Sequence, residues 1–169
     1  MAGVLLGQSA SYGLTQQVTL EAGFTDGASI PAAGAEFSFV CGDYDFWRLI
    51  AIYFEITTDA NAANRLVTVQ YPQRGGLSPV KDGAGLVITA NTTSQQFSGS
   101  LTRGVAEWAT NTPVFFPLSG LWLEAGRVVK IDVDNIQAGD QLANILLTFD
   151  RVAVDPARYG TDQGSDLPE

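Results

Sequence analysis

Phe46-Trp47-Arg48-Leu49-Ile50-Ala51-Ile52-Tyr53-Phe54-Glu55-Ile56-Thr57 is the stretch on which the fold is decided. It is dense in aromatic and β-branched residues, which fit a pleated surface better than a helix. No Gly or Asn closes it until Asn61. At ~3.3 Å per residue it spans about 36 Å, long for a strand. Its apolar residues do not alternate cleanly, so the reading is a strand covered on both faces.

Shorter runs of the same kind lie on either side. Residues 36–41 alternate, with Phe37 and Phe39 on one face. Residues 65–71 alternate Val67, Val69 and Tyr71 against Leu66, Thr68 and Gln70. Residues 85–90 are short and apolar, and 93–103 carry Phe97 and Leu101 among polar neighbours. Residues 114–123 hold Phe115, Phe116, Leu118, Leu121 and Leu123, with Pro117 marking a bend or an edge. Residues 127–134 set Val129, Ile131 and Val133 against Lys130, Asp132 and Asp134, and residues 144–152 alternate Ile145, Leu147 and Phe149. Between the runs lie Gly75-Gly76, Asp82-Gly83 and Ala138-Gly139-Asp140, which are turn chemistry.

About eight strands at near-regular spacing, with no amphipathic helix, predict an all-β fold: an antiparallel two-sheet sandwich, jelly-roll-like. Residues 35–152 form the sandwich domain. Residues 1–34 are rich in Ala, Gly, Ser, Thr and Gln, with one short strand at 17–20, and read as an N-terminal arm. Residues 153–169 are mostly polar, with Pro156, Gly160, Gly164 and Pro168, and read as a tail.

Composition narrows the chemistry. The 169 residues include no His, which removes Ser-His-Asp and Cys-His schemes and every His metal site. A single Cys excludes an internal disulfide, and Cys41, followed by Gly42 and Asp43, reads as a small buried hydrophobe. Nine basic against eighteen acidic side chains give a net charge of −9, against nucleic-acid binding. The longest apolar run, residues 49–54, is far short of the ~20 needed to span a bilayer. The start of the chain lacks the basic region of a signal peptide. The expectation is no catalytic residues, no cofactor, no nucleic acid and no membrane.

Three acids flank one turn: Asp132 and Asp134, two apart on a strand, and Asp140. They are weak Ca²⁺ candidates, since the order lacks an EF-hand's central Gly and terminal Glu; a solvated strand face ending in a turn is the favoured account. Asp43 and Asp45 read as a turn, and Ser78-Pro79-Val80-Lys81, in a loop, as chance. Trp47 heads the most apolar strand and reads as core. Trp122, between Leu121 and Leu123, points opposite to them. Trp108 sits in a loop-like stretch. For Trp108 and Trp122 three readings stay open: a protein interface, the core, or a platform for stacking a sugar.

Two segments carry a resemblance. One is Phe46-Trp47-Arg48-Leu49 with the run from Ile56 through Asn64-Arg65 to Val69; the other is Leu121-Trp122-Leu123-Glu124-Ala125-Gly126-Arg127 with Asp134-Asn135-Ile136-Gln137-Ala138-Gly139-Asp140. Together they resemble small β-sandwich structural proteins of tailed bacteriophages, such as capsid decoration (cement) proteins, over residues 36–152. The resemblance implies a non-enzymatic virion protein, made in the host cytoplasm, binding the major capsid protein and copies of itself as a homotrimer. A carbohydrate- or receptor-binding component, or a minor tail or baseplate part, is the alternative. Under this reading Val4, Leu5, Leu6, Tyr12 and Leu14 of the arm anchor an adjacent subunit, and Trp108, Phe115 and Phe116 line the trimer contact.

Overall fold

A computed structural model describes residues 16–21, 30–42, 45–72, 79–101 and 114–153. These residues hold ten strands and no helix, in two sheets. The strands are β1 (Gln16–Glu21), β2 (Phe37–Val40), β3 (Asp45–Thr57), β4 (Arg65–Tyr71), β5 (Val80–Ile88), β6 (Gln95–Ser100), β7 (Val114–Pro117), β8 (Trp122–Leu123), β9 (Val128–Asp134) and β10 (Gln141–Ala153).

The larger sheet runs β1-β10-β3-β6-β7, with β8 also on β3; the smaller runs β2-β9-β4-β5. Set β7 and β8 aside and eight strands remain. The first pairs with the last (β1–β10), the second with the seventh (β2–β9), the third with the sixth (β3–β6) and the fourth with the fifth (β4–β5). β10 then closes on β3, and β9 on β4. That nesting is one long hairpin folded over on itself, the topology of a jelly roll. The sandwich expected from the sequence is therefore present, and strand order separates a jelly roll from other eight-stranded sandwiches.

The Asp82-Gly83 pair, read as a turn, lies inside β5, and β1, read as part of an arm outside the sandwich, is a strand of the larger sheet. Two further features depart from expectation. The 114–123 run is two strands rather than one, and β7 pairs with β6 in parallel, so the larger sheet is mixed. Pro117 ends β7, lacking a donor for further pairing. The chain then turns through Gly120 (φ +67°) and returns as β8 on β3, at Trp47 and Arg48. A parallel pair needs a long connection rather than a hairpin, and thirteen residues separate Ser100 from Val114.

The broken alternation of β3 is a register effect. Against β10, Leu49 pairs Phe149 and Ala51 pairs Thr148, leaving Ile50 as an extra residue. Trp47 and Leu49 on one side of this bulge, and Ile52, Phe54 and Ile56 on the other, all belong to one buried core. A second shift, between Ala143 and Leu146, does the same for β10, where Asn144 takes φ +49° and Leu142, Ile145, Leu147 and Phe149 all reach the core. β3 is covered on both sides, as expected: Ala51 and Tyr53 are buried along with Ile52 and Phe54.

The core joins these residues to Phe37, Phe39, Val67, Val69, Tyr71, Phe97, Val129, Ile131 and Val133. At one end Phe39 of the smaller sheet meets Trp47 and Phe149 of the larger, with ring centroids 5.0–5.7 Å apart. Near the middle Phe54 stacks on Phe97 at 5.0 Å.

Gly99 of β6 is where β7 seats. A Cβ there would stand 2.6 Å from Cε2 of Phe116 and 2.8 Å from Cγ2 of Ile52. Gly99→Ala is expected to cost about 1–3 kcal/mol through overpacking, and Phe116→Leu in the same chain to recover part of it. Urea denaturation of the single and double variants measures this; additive losses would show that Phe116 does not press on Gly99.

Candidate functional site

Charged groups near the turns form two closed networks. Arg65 opens β4 facing inward and is fully buried. Its Nε and one terminal nitrogen each donate to Asp140 at 2.8 Å, the second bond shared with Asp59 at 2.6 Å. The other terminal nitrogen donates to the carbonyls of Asn61 (2.9 Å) and Ala63 (2.5 Å). These bonds engage all five guanidinium N–H groups. Asp140, also fully buried, accepts the amides of Asp59 (2.9 Å) and Gln137 (2.8 Å) as well. Burial would raise its pKa, but bonds from Arg65 and from the amides of Gln137 and Asp59 outweigh that and hold it below the usual carboxylate range. The glycines fit around this knot: Gly34 (φ +73°) donates to the Asp140 carbonyl at 2.7 Å, and a Cβ on Gly139 would stand 2.8 Å from Asp59.

The second network lies on the outer face of the smaller sheet. Lys130 bridges Glu36 at 2.5 Å and Asp132 at 2.6 Å, and Gln70 donates to Asp132 and, at 3.2 Å, to Thr68. Burial works against the charge on Asp132, but the bonds from Lys130 lead the effects that lower its pKa.

The acids proposed for Ca²⁺ are thereby separated. Asp140 is committed to Arg65, Asp132 to Lys130 and Gln70, and Asp134 is exposed. Among the described residues no three acids, Cys or His converge to hold a metal. Cys41 is buried, and that burial pushes its thiol up to about 12. At pH 8 only about one molecule in ten thousand would carry the thiolate, so iodoacetamide is expected to leave the native chain unmodified and to label it in urea. Labelling of the native chain at the urea rate would contradict the burial.

What the larger sheet offers outward is aromatic. The outer edge of the sheet exposes Phe115, at 51% of its surface. Phe116, proposed alongside it as an interface residue, is instead in the core; neighbours on a strand point to opposite faces, so only one of the two can look out. Trp47 is core, as its strand position suggested, and its neighbour Arg48 faces the other way. Arg48 ion-pairs with Asp150 and lies over the ring of Trp122, 4.7 Å from its centroid. Trp122 is 45% exposed and Phe46 42%. Leu101 and the edge residues Val40 and Val87 are also exposed. Trp108 and the arm residues Val4, Leu5, Leu6, Tyr12 and Leu14 lie outside the described residues.

Sequence reasoning missed the Arg65 network and the Arg48–Trp122 stack. The first left a trace: an arginine opening an otherwise apolar inward face needs a buried partner. The second left none, because it depends on β8 pairing with β3 rather than continuing β7. The chain matches no protein-family model and no curated protein.

Proposed function

We propose that this chain is a non-enzymatic virion structural subunit of a tailed bacteriophage: a capsid decoration protein that binds the major capsid protein, associates with copies of itself as a trimer, and stabilises the shell. The observation that carries the reading is the outward aromatic set of the larger sheet, Phe46, Trp122 and Phe115, each close to half exposed on a rigid jelly roll. Large apolar side chains in that position favour protein contacts, and aromatic residues are enriched at such contacts. The resemblance of residues 36–152 to phage structural proteins supplies the kind of partner.

The test is a comparison of purified shells with and without the subunit under heating. Shells lacking it should release their contents at lower temperature, and Phe115→Ser with Trp122→Ser should lower its occupancy. Equal thermal release with and without the subunit would remove the decoration role.

A second reading rests on Trp122 specifically. Its ring stands beside the Arg48–Asp150 pair, an arrangement of flat apolar surface and polar groups that suits a sugar ring. Binding on a glycan array that disappears in Trp122→Ala would favour a carbohydrate-binding component; no binding, with or without Ca²⁺, would discard it.

A further inference from the structure

β5 ends the smaller sheet and β7 the larger, and one buried carboxylate spans the seam between them. Against β4, Val67 pairs with Leu86 and Val69 with Asp82, so residues 83–85 stand against Thr68 alone. An insertion of this kind re-aims the side chains beside it. Gly83 takes φ +67°, and a Cβ on it would stand 3.1 Å from Cδ2 of Phe116 in β7. The backbone of β5 therefore closes on the edge of the larger sheet, and Asp82 is only 9% exposed.

Oδ2 of Asp82 accepts the hydroxyl of Tyr71, at the end of β4, and the amide of Ser119, in the turn between β7 and β8, each at 2.9 Å. The Ser119 hydroxyl bonds Tyr71 in turn. Tyr71 is 1% exposed, so the carboxylate is braced from the core side, whereas Ser119 itself is exposed. The strands on either side of this turn have little else to fix them. β7 is four residues and β8 two, the latter paired with β3 at Trp47–Leu123 and Arg48–Trp122. Ladders this short hold weakly by themselves. Leu118 bonds Ser100 within the larger sheet, at 3.2 Å; the Ser119 bond crosses to the other sheet. Yet these two strands carry Phe115 and Trp122, two of the three outward rings.

We propose that Asp82 is a positioning residue for the aromatic face: by holding the Ser119 amide it sets where Phe115 and Trp122 stand on the larger sheet. The proposal rests on the reading of those rings as the surface that meets the shell, and adds the group that fixes them from the opposite sheet. Both bonds end on one oxygen, so an acceptor is needed there and a charge is not. Asp82→Asn keeps that acceptor, and Asp82→Ala removes it.

The experiment uses the full chain, labelled with ¹⁵N for amide exchange and separately with fluorotryptophan. The fluorine line of Trp122 is assigned by its loss in Trp122→Phe. Asp82→Ala should speed exchange of the Ser119 amide about ten- to hundredfold. It should also move the Trp122 line toward that of the free amino acid and lower occupancy on purified shells, as Phe115→Ser with Trp122→Ser does. Asp82→Asn should leave all three near the wild-type values. Exchange at Val67 and Ile131, deep in the core, should not change in either variant, which separates lost positioning from general loosening. Should Asp82→Ala fail to fold, Ser119→Pro removes the donor alone, at an exposed position before Gly120 (φ +67°) where a turn accepts proline, and should move the Trp122 line the same way. Unchanged Ser119 exchange in Asp82→Ala overturns the inference. So does faster exchange with the Trp122 line and occupancy of the wild type, or Asp82→Asn behaving like Asp82→Ala. Shells that gain nothing from the wild-type chain would remove the decoration role alone, because the Ser119 and Trp122 signals decide the positioning without them.

Discussion

Asp140→Ala is expected to lower stability by about 3–5 kcal/mol, because it strands a fully buried guanidinium. Arg65 loses two of its five bonds, and the amides of Asp59 and Gln137 lose their acceptor in the same step. For a chain of this size that corresponds to a fall in Tm of roughly 10–15 °C. Asp140→Asn should cost less, since an amide oxygen still accepts a bond but the charge is gone. Arg65→Met with Asp140→Leu should recover much of the loss, since removing both charges leaves nothing unpaired. Thermal melts followed by circular dichroism separate these cases. If Asp140→Ala costs under about 1 kcal/mol, water reaches Arg65 and the network is not the closed one described.

The two charged networks set a pH dependence. Asp140 and Asp132 are both held below their ordinary values in the folded chain. A lowered folded pKa gives stability that is fully present above the unfolded value, near 3.9, and is lost as pH falls through the folded one. Urea midpoints should therefore be flat from pH 7 to about 5 and fall below about pH 4. In Asp140→Asn that fall should be shallower, because one of the lowered carboxylates, which also include Glu55, no longer titrates. With no histidine in the chain, no step between pH 6 and 7 is expected from a side chain of that type.

Much of the fold is legible residue by residue. Val67, Val69 and Tyr71, and Val129, Ile131 and Val133, alternate in the sequence and face the core in the structure. Their neighbours Gln70, Lys130 and Asp132 form the polar ladder on the opposite face. Bulges hid the rest. Ile50 and the step from Ala143 to Leu146 each move the inward set by one residue, so period-two counting sees disorder where there is one continuous face. The parallel pairing of β7 is invisible for a different reason. It depends on where a thirteen-residue connection returns, and no local pattern encodes that. The site follows the same division. Trp122 pointing away from Leu121 and Leu123 is a local fact and was readable. Its stacking under Arg48 is a consequence of topology and was not.

The two ends of the sandwich are closed by opposite chemistry, and the second large effect is expected at the apolar end. Phe149 lies in β10 of the larger sheet, fully buried, tilted against Phe39 of the smaller sheet at 5.0 Å and edge-on to Trp47 at 5.3 Å. It is thus one of the contacts through which the sheets hold each other. Phe149→Ala removes a ring from close-packed surroundings and should cost about 3–5 kcal/mol, the lost transfer energy plus the cavity left behind. Phe149→Leu keeps most of the volume and should cost less, about 1–2 kcal/mol, through the lost aromatic pairs. Trp47 reports on the event: with a neighbouring ring deleted, near-ultraviolet circular dichroism from the packed indole should weaken in the folded variant. Because Phe149 and Asp140 share no partner, the losses from the two alanine substitutions should add. A double variant no less stable than the worse single one would mean that the ends do not contribute independently, and that one of them already opens in the folded chain.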